Sequence, residues 1–212
     1  GSELESGHYS PTGFEIGNGV KPASTTKIFT QGEMVMTGQS LDVAIQGDGF
    51  LKVSMPNGSV RYTRDGSLRI DAQSGNLVTA SGYFIEPSIT IPADWRSISI
   101  GGDGTVTVLA GDSDTPQSIG QITLARFANP SGLSSVGGNL LAETQASGSA
   151  TEAAPGESGL GKLQQGFLEK SNVQMITELV NLITAQRAYE TNSKAIKTGD
   201  EMLQTAARLI RG

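Results

Sequence analysis

Along most of this chain apolar and polar residues alternate in short runs; near its end the apolar residues recur every three or four positions instead. In LDVAIQGDGFLKVSMPNGSVRYT (41–63), Leu41, Val43 and Ile45 share one face. Leu51, Val53 and Met55 then oppose Phe50, Lys52 and Ser54. A period of two is the signature of a half-buried strand. Pro56-Asn57-Gly58 separates this run from Val60 and Tyr62, and Asn-Gly tolerates the positive φ of a tight hairpin turn. LRIDAQSGNLVT (68–79) repeats the design around Ser74-Gly75-Asn76. SISIGGDGTVTVL (97–109) repeats it again, with Ile98 and Ile100 before the turn and Val106 and Val108 after it, and IGQITLARF (119–127) predicts one more strand. Short strands joined by glycine turns, with no strand–helix alternation, predict a mainly β, antiparallel fold built from Gly-rich hairpins. They argue against a nucleotide-binding α/β sheet.

The last stretch carries a different period. Leu182, Ala185, Tyr189, Asn192, Ile196, Gly199, Leu203, Ala206 and Ile210 are spaced alternately by three and four, a heptad seam on one long C-terminal α-helix. Ser171 followed by Gln174 fits a capping box, so the helix is expected to start there and run to about Ile210. At ~1.5 Å per residue such a rod is roughly 55 Å long, more than a domain of this size covers. Ala185, Gly199 and Ala206 allow close approach of backbones, and Asn192 sets register at a cost in stability. Glu190 and Lys194 are spaced to pair on the flank. Small and polar seam residues suit a multi-helix array. The plainer reading is a helix packed on its own domain; a surface-lying membrane helix fits poorly, because the polar face mixes both signs of charge.

Glycine and charge divide the chain at the same place. Of 28 glycines, only Gly199 and Gly212 lie in 167–212, and that segment carries a net charge of +1 while the whole chain carries −6. This predicts an arm over 1–15, loose and flexible; a β-rich outer domain over 16–166, with a mobile Gly/Ala/Ser loop at 145–160; and a helical assembly segment over 167–212. Gly1-Ser2 reads as a cloning remnant, so the natural N-terminus is expected to lie upstream.

Little chemistry is in view. There is no cysteine, which removes thiolate catalysis, disulfides and Cys-based metal sites, and suits a chain exported unfolded into an oxidising space. No basic stripe offers itself to nucleic acid, and no run approaches the ~18 apolar residues of a spanning helix. GESGLGKL (156–163) is nearly a phosphate-binding loop, but Leu163 stands where a Ser or Thr must hold Mg²⁺. The pairs Asp48-Gly49, Asp65-Gly66 and Asp103-Gly104 are isolated, as turns are and calcium loops are not. His8 is the only histidine, and it stands in the arm. Trp95 is expected at a strand edge. With no set of acid, base and nucleophile, the chain is not expected to be an enzyme or to use a cofactor, metal or small-molecule substrate.

LDVAIQGDGFLKV (41–53), YTRDGSLRIDAQSGNLVTASGY (62–83) and VQMITELVNLITAQRAYETNSKAIKTGDEMLQ (173–204) together resemble the flagellar basal-body rod and hook family over nearly the whole chain. AQRAYETNSKAI followed by DEMLQ resembles its distal-rod branch. The resemblance implies a structural subunit exported through the flagellar type III route and polymerised in the periplasm into a helical tube. N- and C-terminal helices would form the inner tube and a β-rich domain the outer layer. It implies as partners the chain itself, proximal rod and hook subunits, and the surrounding P- and L-ring proteins. The family's N-terminal helix and Asn/Ala-rich motif are not in this sequence, which puts assembly of this chain alone in question. The seam residues Leu182, Ala185, Tyr189, Asn192, Ile196, Leu203, Ala206 and Ile210 are the expected assembly contacts. The alternatives are another rod or hook axial subunit, or a secreted β-rich binding module on a helical stalk, for which no aromatic platform is evident.

Overall fold

The computed structural model describes residues 27–111 and 114–211, the last five as backbone only. The arm at 1–15, with His8, and the onset of strands near Ile16 lie outside the described residues. In chain order the strands are β1 (Met34–Met36), β2 (Val43–Gln46), β3 (Phe50–Ser54), β4 (Val60–Thr63), β5 (Leu68–Ile70), β6 (Leu77–Thr79), β7 (Phe84–Glu86) and β8 (Trp95–Ile100). They continue as β9 (Thr105–Ala110), β10 (Gln117–Gln121), β11 (Leu124–Arg126), β12 (Ser134–Gly137), β13 (Leu140–Ala142), β14 (Thr151–Ala153), β15 (Lys162–Gln165) and β16 (Phe167–Glu169). A single helix, α1 (Met175–Arg211), closes the order. All described strand pairs are antiparallel.

The largest sheet has nine strands, in the order β12-β13-β4-β3-β7-β6-β5, with β11 joining β3 to β14. A three-stranded sheet, β10-β9-β8, and two ribbons, β1-β16 and β15-β2, complete the β structure. The predicted hairpins form. Asn57-Gly58 turns β3 into β4 with Gly58 at φ 76°, and the Gly58 N–H donates to the Met55 carbonyl at 2.8 Å. Ile98, Ile100, Val106 and Val108 are buried on one side of the β8–β9 hairpin.

β3 is buried on both faces. Leu51 and Val53 enter the main core with Val43, Ile45, Leu77, Ile85 and Ile122. Phe50 enters a second, aromatic cluster with Tyr62, Phe127, Ala125 and Leu133. The Tyr62 and Phe127 rings meet edge to face, centroids 4.8 Å apart, an arrangement the ring quadrupoles favour. Lys52, on the aromatic side, lies between Glu86 (3.1 Å) and Glu152 (2.9 Å). The hydrogen bond to Glu152 raises its pKa above the ordinary lysine value, outweighing the opposing effect of burial.

Three expectations need correction. Residues 119–127 form two strands: the chain leaves the three-stranded sheet after β10 and joins the large sheet as β11, with the Ile122 N–H held by the Gly104 carbonyl at 2.8 Å. The segment 145–160 is not a featureless loop. β14 pairs with β11, and Ser147 is buried in a turn with Thr144. Its local composition hides this order, because the partners are distant strands. Helix α1 starts at Met175, later than the Ser171 cap implies, and the Ser171 hydroxyl accepts from the Val173 N–H at 3.3 Å outside the helix.

Candidate functional site: the helix seam and its base

Helix α1 spans 37 residues with no proline and one described internal glycine, Gly199. Its length follows from the residue types: Leu, Ala, Gln, Glu, Lys and Arg lose little side-chain freedom in a helix. Thr184, Thr191 and Thr205 each donate back to the carbonyl four residues earlier, at 2.8 Å, so their hydroxyls are satisfied without a neighbour.

The seam is open. Leu182 is 56% exposed, Tyr189 76%, Ile196 67% and Leu203 70%. Ala185, Asn192 and Ala206 are exposed on the same line, and the side chain of Ile210 lies outside the described residues. The reading in which α1 packs on its own β domain is therefore not what the structure has. Glu190 and Lys194 do not come together as an ion pair; at exposed positions such a pair gains little over hydration.

The helix base is the opposite case, heavily fastened. β16 runs into the helix and pairs with β1 through Met34–Glu169, Val35–Leu168 and Met36–Phe167. The Glu169 carboxylate accepts from Arg64 Nε at 2.9 Å and Nη2 at 2.8 Å, and its other oxygen accepts from the Gly32 N–H at 2.8 Å. Both side chains are largely buried, at 17% and 10% exposure. Arg64 also donates to the carbonyls of Gly49 (3.2 Å), Gly47 (3.1 Å) and Ile45 (3.4 Å), and its guanidinium lies 5.9 Å from the Phe50 ring centre. The planar fork of arginine suits this many acceptors at once. Three residues on, Asn172 Nδ2 donates to the Ile28 carbonyl (3.1 Å) and to the carbonyl and hydroxyl of Thr30 (both 2.9 Å). The Lys170 N–H donates to the Glu33 carbonyl at 2.9 Å. Sequence reasoning passed over Arg64, Glu169 and Asn172, because their partners are up to 144 positions away and leave no local period. Arg64 follows directly on β4, whose last two residues, Tyr62 and Thr63, are buried.

The other candidates resolve into turns. The Asp65 carboxylate accepts from the Ser67 N–H (3.0 Å) and hydroxyl (2.6 Å). Asp103 does the same for Thr105, at 3.0 and 2.8 Å, and these bonds hold its carboxyl below the usual range. The Asp48 carbonyl accepts from the Gly161 N–H at 2.7 Å. GESGLGKL is a turn that buries Leu160 and leads into β15, with Lys162 exposed. Trp95 opens β8 opposite Ala110, at a sheet edge. Among the described residues no group of three or more His, Asp or Glu could hold a metal ion. Among them, too, no helix is long and apolar enough to cross a membrane.

Comparison with known proteins matches both parts of this arrangement. Residues 44–108, from β2 through most of β9, match the family model described as the flagellar hook protein FlgE/F/G D1 domain. Residues 164–209, covering β16 and nearly all of α1, match the flagellar basal body rod FlgEFG protein C-terminal family. The chain is 51% identical over 199 residues to the flagellar basal-body rod protein FlgG of Buchnera aphidicola subsp. Schizaphis graminum, covering 94% of this chain and 76% of that protein. It is 47% identical over 210 residues to the protein of the same name in Caulobacter vibrioides, covering 99% and 80%. The flagellar hook protein FlgE of Salmonella typhimurium is 48% identical over 118 residues, 56% of this chain and 29% of that protein. Identity of this extent, over a β domain and a terminal helix that the structure also pairs, means that the chain belongs to the flagellar basal-body rod protein family.

Proposed function

We propose that this chain is a structural subunit of the distal rod, the part of the flagellar axis that carries torque from motor to hook. Copies assemble through the α1 seam into a helical tube, and the β-rich part forms its outer layer. The observation that carries the reading is α1 itself: a rod of roughly 55 Å with an apolar seam exposed along its described length. Exposed apolar surface on this scale is costly in water and is relieved by association. Transmission of torque asks for stiffness in repeated interfaces, and Ala185, Gly199 and Ala206 let neighbouring backbones approach closely enough to provide it.

The partners in this reading are further copies of the chain, the proximal rod and hook subunits above and below it, and the P- and L-ring proteins around it. Its place is the periplasmic part of the basal body, reached by the flagellar export route; the lack of cysteine suits that passage. Catalysis, cofactors, small-molecule substrates and nucleic acid have no part in it. The likeness to a hook protein favours a second reading within the same class, another axial subunit of rod or hook.

Complementation tests the proposal. The chain, fused behind the N-terminal segment of a longer relative, is expressed in cells lacking their own distal rod subunit and in cells lacking their hook subunit. Restored swimming in the first alone supports the distal rod, and in the second alone the hook. Ile196→Asp should abolish restoration while the protein is still exported; swimming at parental level with that variant would refute assembly through the seam.

A further inference from the structure

The exposed seam transmits force only if the helix cannot swing on its domain, and the fastening at its base answers that need. We infer that Arg64, Glu169 and Asn172 form a latch that sets the direction of α1 relative to the β domain. They act as positioning residues, not as members of the folding core. Four observations bear on this. The ion pair is largely buried and double-contacted, and a buried arginine–carboxylate pair holds geometry far better than a surface one. Arg64 spends its remaining donors on the Ile45 carbonyl of β2 and on the Gly47 and Gly49 carbonyls of the β2–β3 connection, which joins it to the main core beneath. Glu169 ends β16, and Asn172, three residues before the helix begins, is held by three contacts to residues 28–30. Beyond Gln174 no helical side chain to residue 206 is buried, so restraint on the helix axis is concentrated at this base. Two charged groups and one amide, drawn from the residue just after β4, the end of β16 and the helix lead-in, thus clamp the two chain segments that meet there.

The inference goes beyond the assembly reading and holds for the single chain whatever docks on the seam. Its test is therefore made on the single chain. The chain has no cysteine, so two can be placed at will, Arg69→Cys on β5 and Asn181→Cys in the second turn of α1, both at exposed positions, and spin-labelled. The distance between the labels, read by pulsed electron resonance, is expected to be one narrow distribution. Glu169→Ala and Asn172→Ala should each lose the narrow peak and give a broad distribution, with the thermal unfolding of the β domain still cooperative. Asn172→Ala leaves no charge behind, so it remains informative if Glu169→Ala unfolds. Lys52→Ala, which breaks ion pairs away from the base, should leave the peak narrow. A distribution already broad in the parent, or one that stays narrow in Asn172→Ala, would overturn the latch; so would equal broadening in Lys52→Ala. Failure of complementation with a narrow parental distribution would count against assembly through the seam and leave the latch standing.

Discussion

Gly66 lies in the YTRDGS stretch, where the chain turns from β4 toward β5 and passes against β2. Its carbonyl accepts from the Val43 N–H at 2.9 Å. A methyl group added there would sit 1.6 Å from the Val43 carbonyl oxygen and 2.8 Å from its carbonyl carbon. Ordinary contact is about 3.5 Å, so Gly66→Ala forces one backbone back by more than about 1.5 Å. Neither can retreat freely. Val43, Ala44 and Ile45 are buried, and β2 is paired along its whole length with β15. Losing the backbone hydrogen bond costs about 1 kcal/mol, and overpacking a dense core adds about 1–3 kcal/mol. The expected total is about 2–4 kcal/mol, which for a chain of this size lowers Tm by roughly 5–15 °C. Gly58→Ala is the comparison. It has φ 76° but no atom within 4 Å of the added methyl, so only the left-handed backbone cost of about 1–2 kcal/mol applies. Scanning calorimetry of both variants, with circular dichroism to confirm the fold, is the assay. If Gly66→Ala melts within about 3 °C of the parent, or no lower than Gly58→Ala, the close approach of β2 does not constrain this position as argued.

Ile196→Asp should change the Tm of the isolated chain by less than about 2 °C, because the side chain it replaces is already in water. Leu77→Ala, at a fully buried position, should cost about 2–5 kcal/mol in the same calorimetric assay. Gly199→Ala should raise helicity by circular dichroism, since glycine inside a helix costs about 1 kcal/mol and nothing within 4 Å opposes a methyl there. Lys52 gains its carboxylate partners on folding, so its pKa is higher folded than unfolded. Its contribution to stability is complete below the ordinary value of 10.5 and is lost as pH rises through the raised one. Urea unfolding between neutral and strongly alkaline pH should show that decline, and Lys52→Met should flatten it.

The hairpins and the helix were legible in the sequence because each is local. A two-residue period, an Asn-Gly turn or a run of three-and-four spacing reports on neighbours along the chain, and β3–β4, β5–β6, β8–β9 and α1 all follow from such signals. The exposed seam was legible for the same reason: no strand pattern offered a face long enough to cover it. Only the tertiary structure decided the rest. The order of strands in the large sheet, the split of 119–127 between two sheets and the pairing of β14 depend on partners tens of residues distant. Phe50 could be placed in a second core only once Tyr62 and Phe127 stood beside it. The latch is the extreme case. Arg64 and Glu169 are 105 positions apart, and in sequence each is one charged residue among many. A salt bridge has no period, so its partner is chosen by the fold that brings the two charges together and removes the water between them.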